Sequence, residues 1–146
     1  MQYRPMNPTD YAAWRPLWNG YLTFYKATID DATTDLTFRR LTGDDATMGA
    51  FLALDDSGEA IGVVHWITHR SCWTAGDYCY LQDLYVAEGH RNRGVGRALI
   101  DLVYAEAHRR GCSRVWWLTH ETNTDAMALY EKVATRSGFL QYRKML

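Results

Sequence analysis

The feature that most constrains this chain is a strand-to-helix corner. "YCYLQDLYV" runs into "GHRNRGVGRALI" (Gly89 to Ile100), which runs into "DLVYAEAHRR". The first stretch is apolar and aromatic enough for a buried strand. The last continues a helix whose Val95, Leu99, Leu102, Val103 and Ala107 share one face, with Gly111 as its C′ residue. Between them lie Gly89, Gly94, Gly96, Arg91, Arg93 and Arg97. The first N–H groups of a helix have no intrahelical partner, and the helix dipole adds partial positive charge there. Gly94 and Gly96 leave that backbone bare enough for a phosphate to approach, and the arginines add charge. The corner reads as a pyrophosphate cradle. The plainer reading is a glycine turn with solvated arginines.

The other segments can be placed around this corner. "QYRPM" is a short strand. "TDYAAWRPLWNGYLTFYKA" is a helix capped at Thr9 or Asp10, with Pro16 and Gly20 predicting a kink or break. Its aromatics Tyr11, Trp14, Trp18, Tyr21 and Tyr25 recur every three or four residues, first of all a core-packing stripe. "ATTDLTFRRLTG" is a second short helix ending near Gly43. "GAFLALDDSGEAIGVVHWITHR" reads as strand, turn, strand. "SRVWWLTH" is a strand, and "TDAMALYEKVATRSG" a helix from an Asn123 or Thr124 cap to Gly138. "FLQYRKML" closes the chain as a last strand. The order β-α-α-β-β-β-α-β-α-β predicts an α/β fold, a mixed sheet with helices on both faces.

Composition narrows the classes. A chain of 146 residues, 47% hydrophobic, fits a single domain spanning 1–146. A net charge of −1 gives no global pull toward nucleic acid or an anionic membrane. No apolar run approaches a membrane span, and "MQYRPMNPTD" has no secretory h-region. Cys72, Cys79 and Cys112 form no CxxC, which suits a reducing, cytoplasmic setting. His65 and His69 have the spacing of a helical zinc pair. They sit in a strand, however, where four residues span roughly 13 Å, so no metal is expected. The acidic runs "TIDDATTD" and "GDD" are either solvated loop charge or an attraction for a cationic amine.

Which phosphate ligand does the corner hold? GxxxxGK[ST] is absent, which argues against a nucleoside triphosphate. A dinucleotide loop needs a third glycine where this chain has Leu99. Glu121 sits where a ribose-binding acid would, but only 25 residues follow it.

"RNRGVG" (Arg91 to Gly96) resembles the R/Q-x-x-G-x-G/A motif of the GCN5-related N-acetyltransferase (GNAT) superfamily. "ETNTDAMALYEKVATRSGF" resembles that family's second motif, an Asn, then a helix carrying a Tyr, then Gly-Phe. "HETN", "ALYEKVA", "SGFLQYRK" and "LWNGYLTFY" are similar to the Hpa2-like subgroup. The likeness spans nearly the whole chain. It implies a sheet whose fourth and fifth strands splay to form an acetyl-CoA cleft. It also implies an acetyl-CoA-dependent N-acetyltransferase without a metal. Cofactor contacts would come from Leu84, Tyr85 and Val86 through their backbones, from Arg91, Asn92, Arg93, Gly94, Val95, Gly96 and Arg97, and from Asn123 and Tyr130. Asn123 has a second reading as a helix N-cap. Subgroup members commonly pair as homodimers, and "FLQYRKML" is apolar and β-prone enough to pack at such an interface.

The chemistry needs three things: a neutral amine, a stabilised oxyanion and a proton for the leaving thiolate. An amine of pKa near 10.4 is neutral in only about one molecule in a few thousand at pH 7. Tyr130 matches the family's acid tyrosine. Donation from a phenol near 10 to a thiolate near 8.5 is uphill by roughly 2 kcal/mol. Tyr130 also has a packing reading, with Met127, Leu129 and Val133 as neighbours. Base candidates are Asp83, His120 and Glu121, with a water chain as the alternative. Relatives often carry Glu where Gln82 stands, and an amide takes no proton. Strand alternation places Asp83 opposite Gln82 unless a bulge re-aims it. Tyr21, Tyr25 and Gln82 are candidates for acceptor contact. The expected acceptor is a small primary amine: a polyamine, an amino acid or an aminated metabolite. A protein-lysine acetyltransferase and a non-catalytic acyl-CoA sensor remain as alternatives.

Overall fold

The computed structural model describes residues 1–146. Its order is β1 (Gln2–Pro5), α1 (Tyr11–Phe24), α2 (Asp31–Arg39), β2 (Met48–Leu54), β3 (Ala60–His69), β4 (Tyr78–Val86), α3 (Val95–Arg109), β5 (Arg114–Trp116) and α4 (Thr124–Val133). The strands form one sheet in the order β1-β2-β3-β4-β5. Neighbours are antiparallel except β4 and β5, which run parallel. The α/β class and the helices on both faces are as the sequence predicts.

Alternation along the strands divides the core. Phe51 and Ala53 of β2 face α3, packing with Leu99, Ile100 and Val103. Ala50, Leu52 and Leu54 face α1 and α2, packing with Trp14, Leu17 and Phe38. The predicted α3 face is the buried one: Val95, Leu99, Val103 and Ala107 are all inside. Gly111 follows α3 at φ +73°.

Helix α1 enters through an ion pair. Arg4 donates to both Asp10 carboxylate oxygens, at 2.7 and 2.8 Å, and the Asn7 amide adds a third bond. Asp10 is the N-cap residue, but its side chain serves Arg4 and Asn7 rather than the helix. Arg4 holds its carboxyl below the usual range.

Three expectations need correction. Helix α1 runs unbroken through Pro16 and Gly20. Gly20 serves another purpose: a Cβ there would lie 2.5 Å from the Tyr85 hydroxyl oxygen, so its absence lets β4 approach α1. Helix α4 stops at Val133, short of Gly138. "FLQYRKML" is not a strand within this chain: residues 135–146 make no backbone–backbone hydrogen bond. A β-prone segment becomes a strand only when a ladder accepts it, and none of the five strands does so here. Phe139, Leu140, Tyr142 and Met145 are consequently more than 80% exposed. No helix is long and apolar enough to cross a membrane.

Candidate active site

The site is built by an interrupted ladder. β4 and β5 pair only at Tyr78–Arg114, Cys79–Val115 and Tyr80–Trp116. Beyond Tyr80 the strands part, so Leu84, Tyr85 and Val86 have no neighbour on the β5 side. A bulge coincides with the parting. Against β3, His65 pairs with Asp83 and Trp66 with Leu81, which leaves Gln82 as the extra residue. A bulge bends its strand and resets the alternation after it. Leu81, Leu84 and Val86 therefore pack toward α3. Tyr80, Asp83 and Tyr85 share the α1 side, where Asp83 meets His65 and Tyr85 joins the α1 core. Gln82 itself is exposed.

The parting opens a cleft of about 850 Å³, floored by Leu84, Tyr85 and Val86. Arg91, Asn92, Gly94, Val95, Gly96 and Arg97 line one end. Gly94 is the N-cap of α3, at φ +80°, a conformation a side chain with a Cβ disfavours. Asn92 is also left-handed, at φ 60°. The Arg91 guanidinium donates to the Val86 carbonyl at 3.0 Å and lies over the Tyr85 and Phe24 rings. Arg93 is exposed and outside the cleft lining. Nothing lies within 4 Å of a Cβ built on Gly94, so this start of α3 is open to the cleft.

His120, Asn123, Leu129 and Tyr130 line the opposite wall. Asn123 precedes α4 but makes no side-chain cap bond; its amide nitrogen donates to Thr119 Oγ1 at 3.2 Å. The Tyr130 ring meets Trp117 edge-on at 5.4 Å. Burial, with Tyr25 as the lesser cause, pushes its phenol up to about 12. His120 is exposed, bonded to Thr122 through Nδ1. Glu121 is exposed and does not line the cleft.

Helix α1 closes the remaining side. Its aromatic stripe splits in function: Trp14 and Trp18 are buried, while Tyr21, Phe24 and Tyr25 face the cleft. Asp83 lies beside this wall with a side chain 13% exposed. His65 is its one ion-pair-range partner; no lysine or arginine is paired with it. Burial, then the Asp83 charge, raises the Tyr21, Tyr25 and Tyr80 phenols. The acidic runs are engaged elsewhere: Asp30 caps α2, Asp31 pairs with Arg15, and Asp35 accepts from Tyr11.

Sequence reasoning did not single out Phe24, Lys26, His90 or Leu129, which also line the cleft. It passed over His65 after rejecting a metal. A signal was present: a histidine inside "IGVVHWIT", amid buried neighbours, must find hydrogen-bond partners.

Residues 13–134 match the model of the acetyltransferase (GNAT) family. The chain belongs to the GNAT family. The D-amino-acid N-acetyltransferase HPA3 of Saccharomyces cerevisiae is 35% identical over 142 residues, covering 97% of this chain and 88% of that protein. Mouse thialysine N-epsilon-acetyltransferase is 32% identical over 78 residues, half of this chain and 45% of its own. Among solved structures, AAC(6')-Iy in complex with a CoA bisubstrate analog has a TM-score of 0.84 at 22% identity, covering 99% and 98% of the two chains. This GNAT chain is thus an acetyl-CoA-dependent N-acetyltransferase acting on amine substrates, the fold and activity that the two motifs imply.

Proposed function

We propose that this protein acetylates the primary amine of a small molecule, an amino acid, a polyamine or an aminated metabolite. One observation carries the reading. The Asp83 carboxylate, without a cationic partner, lies beside the phenols of Tyr21, Tyr25 and Tyr80, of which Tyr21 and Tyr25 line the cleft. A half-buried charge without a countercharge is costly, and an ammonium group supplies one. Aromatic faces add attraction for a cation. HPA3, named for acting on D-amino acids, supports an amino-acid-sized acceptor.

Acetyl-CoA, when bound, supplies an acyl thioester that the acceptor nitrogen attacks directly, through a tetrahedral intermediate. The backbone at Gly94, Val95 and Gly96, with Arg91 and Arg97, holds its pyrophosphate. The backbone of Leu84, Tyr85 and Val86 and the Asn123 amide hold its arm. Asp83 draws the cationic amine, which loses its first proton to water to become a nucleophile; once the nitrogen is bonded to carbon, Asp83 receives the second proton, which bonding makes acidic. His120 is the second proton acceptor in reach of the cleft, whereas Glu121 would need water to connect it. Tyr130 faces the departing sulfur. A phenol near 12 is a hydrogen-bond donor throughout the neutral range. Full transfer to a thiolate near 8.5 is uphill by about 5 kcal/mol, so Tyr130 works best if its proton is replaced as it leaves.

The test is thiol release with a panel of D- and L-amino acids, ornithine, spermidine and a lysine-rich peptide. Small amines are expected to turn over and the peptide to remain unmodified. Preferred turnover of the peptide favours the protein-lysine reading. Acetyl-CoA binding with no thiol release from any amine favours a sensor.

The proposal extends to a single-domain, cytoplasmic homodimer. The tail beyond Gly138 exposes Phe139, Leu140, Tyr142 and Met145, and β5 ends the sheet without an outer neighbour. Burying those side chains against a second copy is worth roughly 1.5–3 kcal/mol each. Light scattering at micromolar concentration is expected to give twice the chain mass, and the double variant Phe139→Glu, Leu140→Glu the mass of one chain. A monomeric parent overturns the dimer.

A further inference from the structure

We propose that His65 is a positioning residue for acetyl transfer, holding the Asp83 carboxylate aimed at the acceptor. This rests on the reading of Asp83 given above. It starts from a chain of two hydrogen bonds. The Trp14 indole N–H lies 3.0 Å from His65 Nε2, and His65 Nδ1 lies 2.9 Å from Asp83 Oδ2. An indole nitrogen only donates, so Nε2 must offer its lone pair and carries no proton. The ring proton is therefore on Nδ1, where it donates to Asp83, and the imidazole is neutral.

Neutrality is what suits this position. An arginine would hold the carboxylate as firmly, but it would cancel the charge that an ammonium acceptor needs. A neutral donor fixes direction and leaves the negative charge in place. The clamp is rigid because it is anchored in the core. Trp14 is fully buried and stacked on Trp18 at 5.8 Å, and His65 is 2% exposed. Trp18 packs on the imidazole from the side, with centroids 5.2 Å apart. Around Asp83 the remaining polar groups are the phenols of Tyr21 and Tyr25 from α1 and of Tyr80 from β4.

The geometry also separates this role from that of an ordinary satisfied core histidine. The bulge at Gln82 is what turns Asp83 onto the α1 side, opposite His65 in register. Without that extra residue the histidine would face no carboxylate. The partner it finds keeps 13% exposure and lies behind Tyr21 and Tyr25 of the cleft wall, outside the lining itself.

Five variants and one spectrum test the proposal, with the best acceptor of the amine panel as probe. His65→Leu keeps volume and removes the donor. It is expected to lower kcat/KM for the amine about 10²-fold, the scale of a misplaced reacting group, with acetyl-CoA affinity unchanged. His65→Asn, which places an amide N–H near the Nδ1 position, is expected to recover much of that loss. Asp83→Asn is expected to cost at least as much as His65→Leu, and the double variant no more than Asp83→Asn alone. If Asp83→Asn turns over like the parent, the Asp83 reading falls and the positioning role with it. If Asp83→Asn is crippled but His65→Leu is not, only the positioning role falls. Losses that multiply in the double variant overturn it too, because His65 then acts through the fold. Should His65→Leu fail to fold, His65→Phe, which keeps a ring and removes the donor, keeps the question open to refutation: parental turnover in that variant overturns it. Independently of any acceptor, long-range 1H–15N spectra of the parent are expected to show His65 protonated at Nδ1 alone. An Nε2-protonated or doubly protonated ring contradicts the proposal outright.

Discussion

Gly96→Val is expected to weaken acetyl-CoA binding by about 10²- to 10⁴-fold while leaving the fold intact. A Cβ at Gly96 lies 3.5 Å from Leu129 Cδ2 and 3.9 Å from Val86 Cγ2, both ordinary contacts. Helix α3 therefore accepts the substitution, and valine has the better helix propensity. The added methyl groups, however, occupy the space over the bare N-terminal amides. Losing two charge-assisted bonds to a pyrophosphate, each worth about 1.5–3 kcal/mol, gives that range. The same change at Gly94 answers less, because a β-branched residue at φ +80° strains the corner whether or not a ligand binds there. Titration calorimetry with acetyl-CoA, beside thermal melts of both proteins, reads the result. Parental affinity in a folded Gly96→Val protein places the pyrophosphate elsewhere.

Tyr130→Phe is expected to cut turnover by about 10²-fold with little change in acetyl-CoA affinity. The variant keeps the edge-on contact with Trp117 and loses one hydroxyl. The loss should shrink for an acyl donor whose thiol leaves more easily, since such a thiolate needs less help. Because the phenol sits near 12, its own ionisation should leave the pH profile flat across neutrality. If saturating amine gives near-parental turnover in the variant, the ring only packs, and His120 or solvent becomes the proton source.

What the sequence shows plainly is whatever local periodicity governs. The apolar face of α3 and its glycine stop follow from spacing alone, and so does the glycine-flanked start of α3, since a bare helix N-terminus is a property of one segment. The bulge at Gln82 carries no such mark. Neither glycine nor proline announces it, and it exists only relative to β3. Strand alternation alone therefore set Asp83 against Gln82 on the wrong assumption of an even ladder, with the bulge as an open exception. The aromatic stripe of α1 was legible as a stripe but not as two halves. Trp14 sits over His65 of β3 and is buried, whereas Tyr25, just past the end of α1, lines the cleft. "FLQYRKML" has strand composition, yet pairing depends on a partner that the local pattern cannot name. Its behaviour is a question of what lies across from it.

The extra residue in β4 ties the place where the cleft opens to the side on which Asp83 faces. The inserted Gln82 stands where β4 leaves β5 and the cleft opens, and it also turns Asp83 to the α1 side. The separation of the two halves is thus not adjustable on its own. Any redesign that evens the ladder to narrow the cleft swings the carboxylate to the α3 side, away from His65. Redesign of the pocket is better placed at Phe24 near the end of α1, which lines the cleft without belonging to the strand that sets both halves.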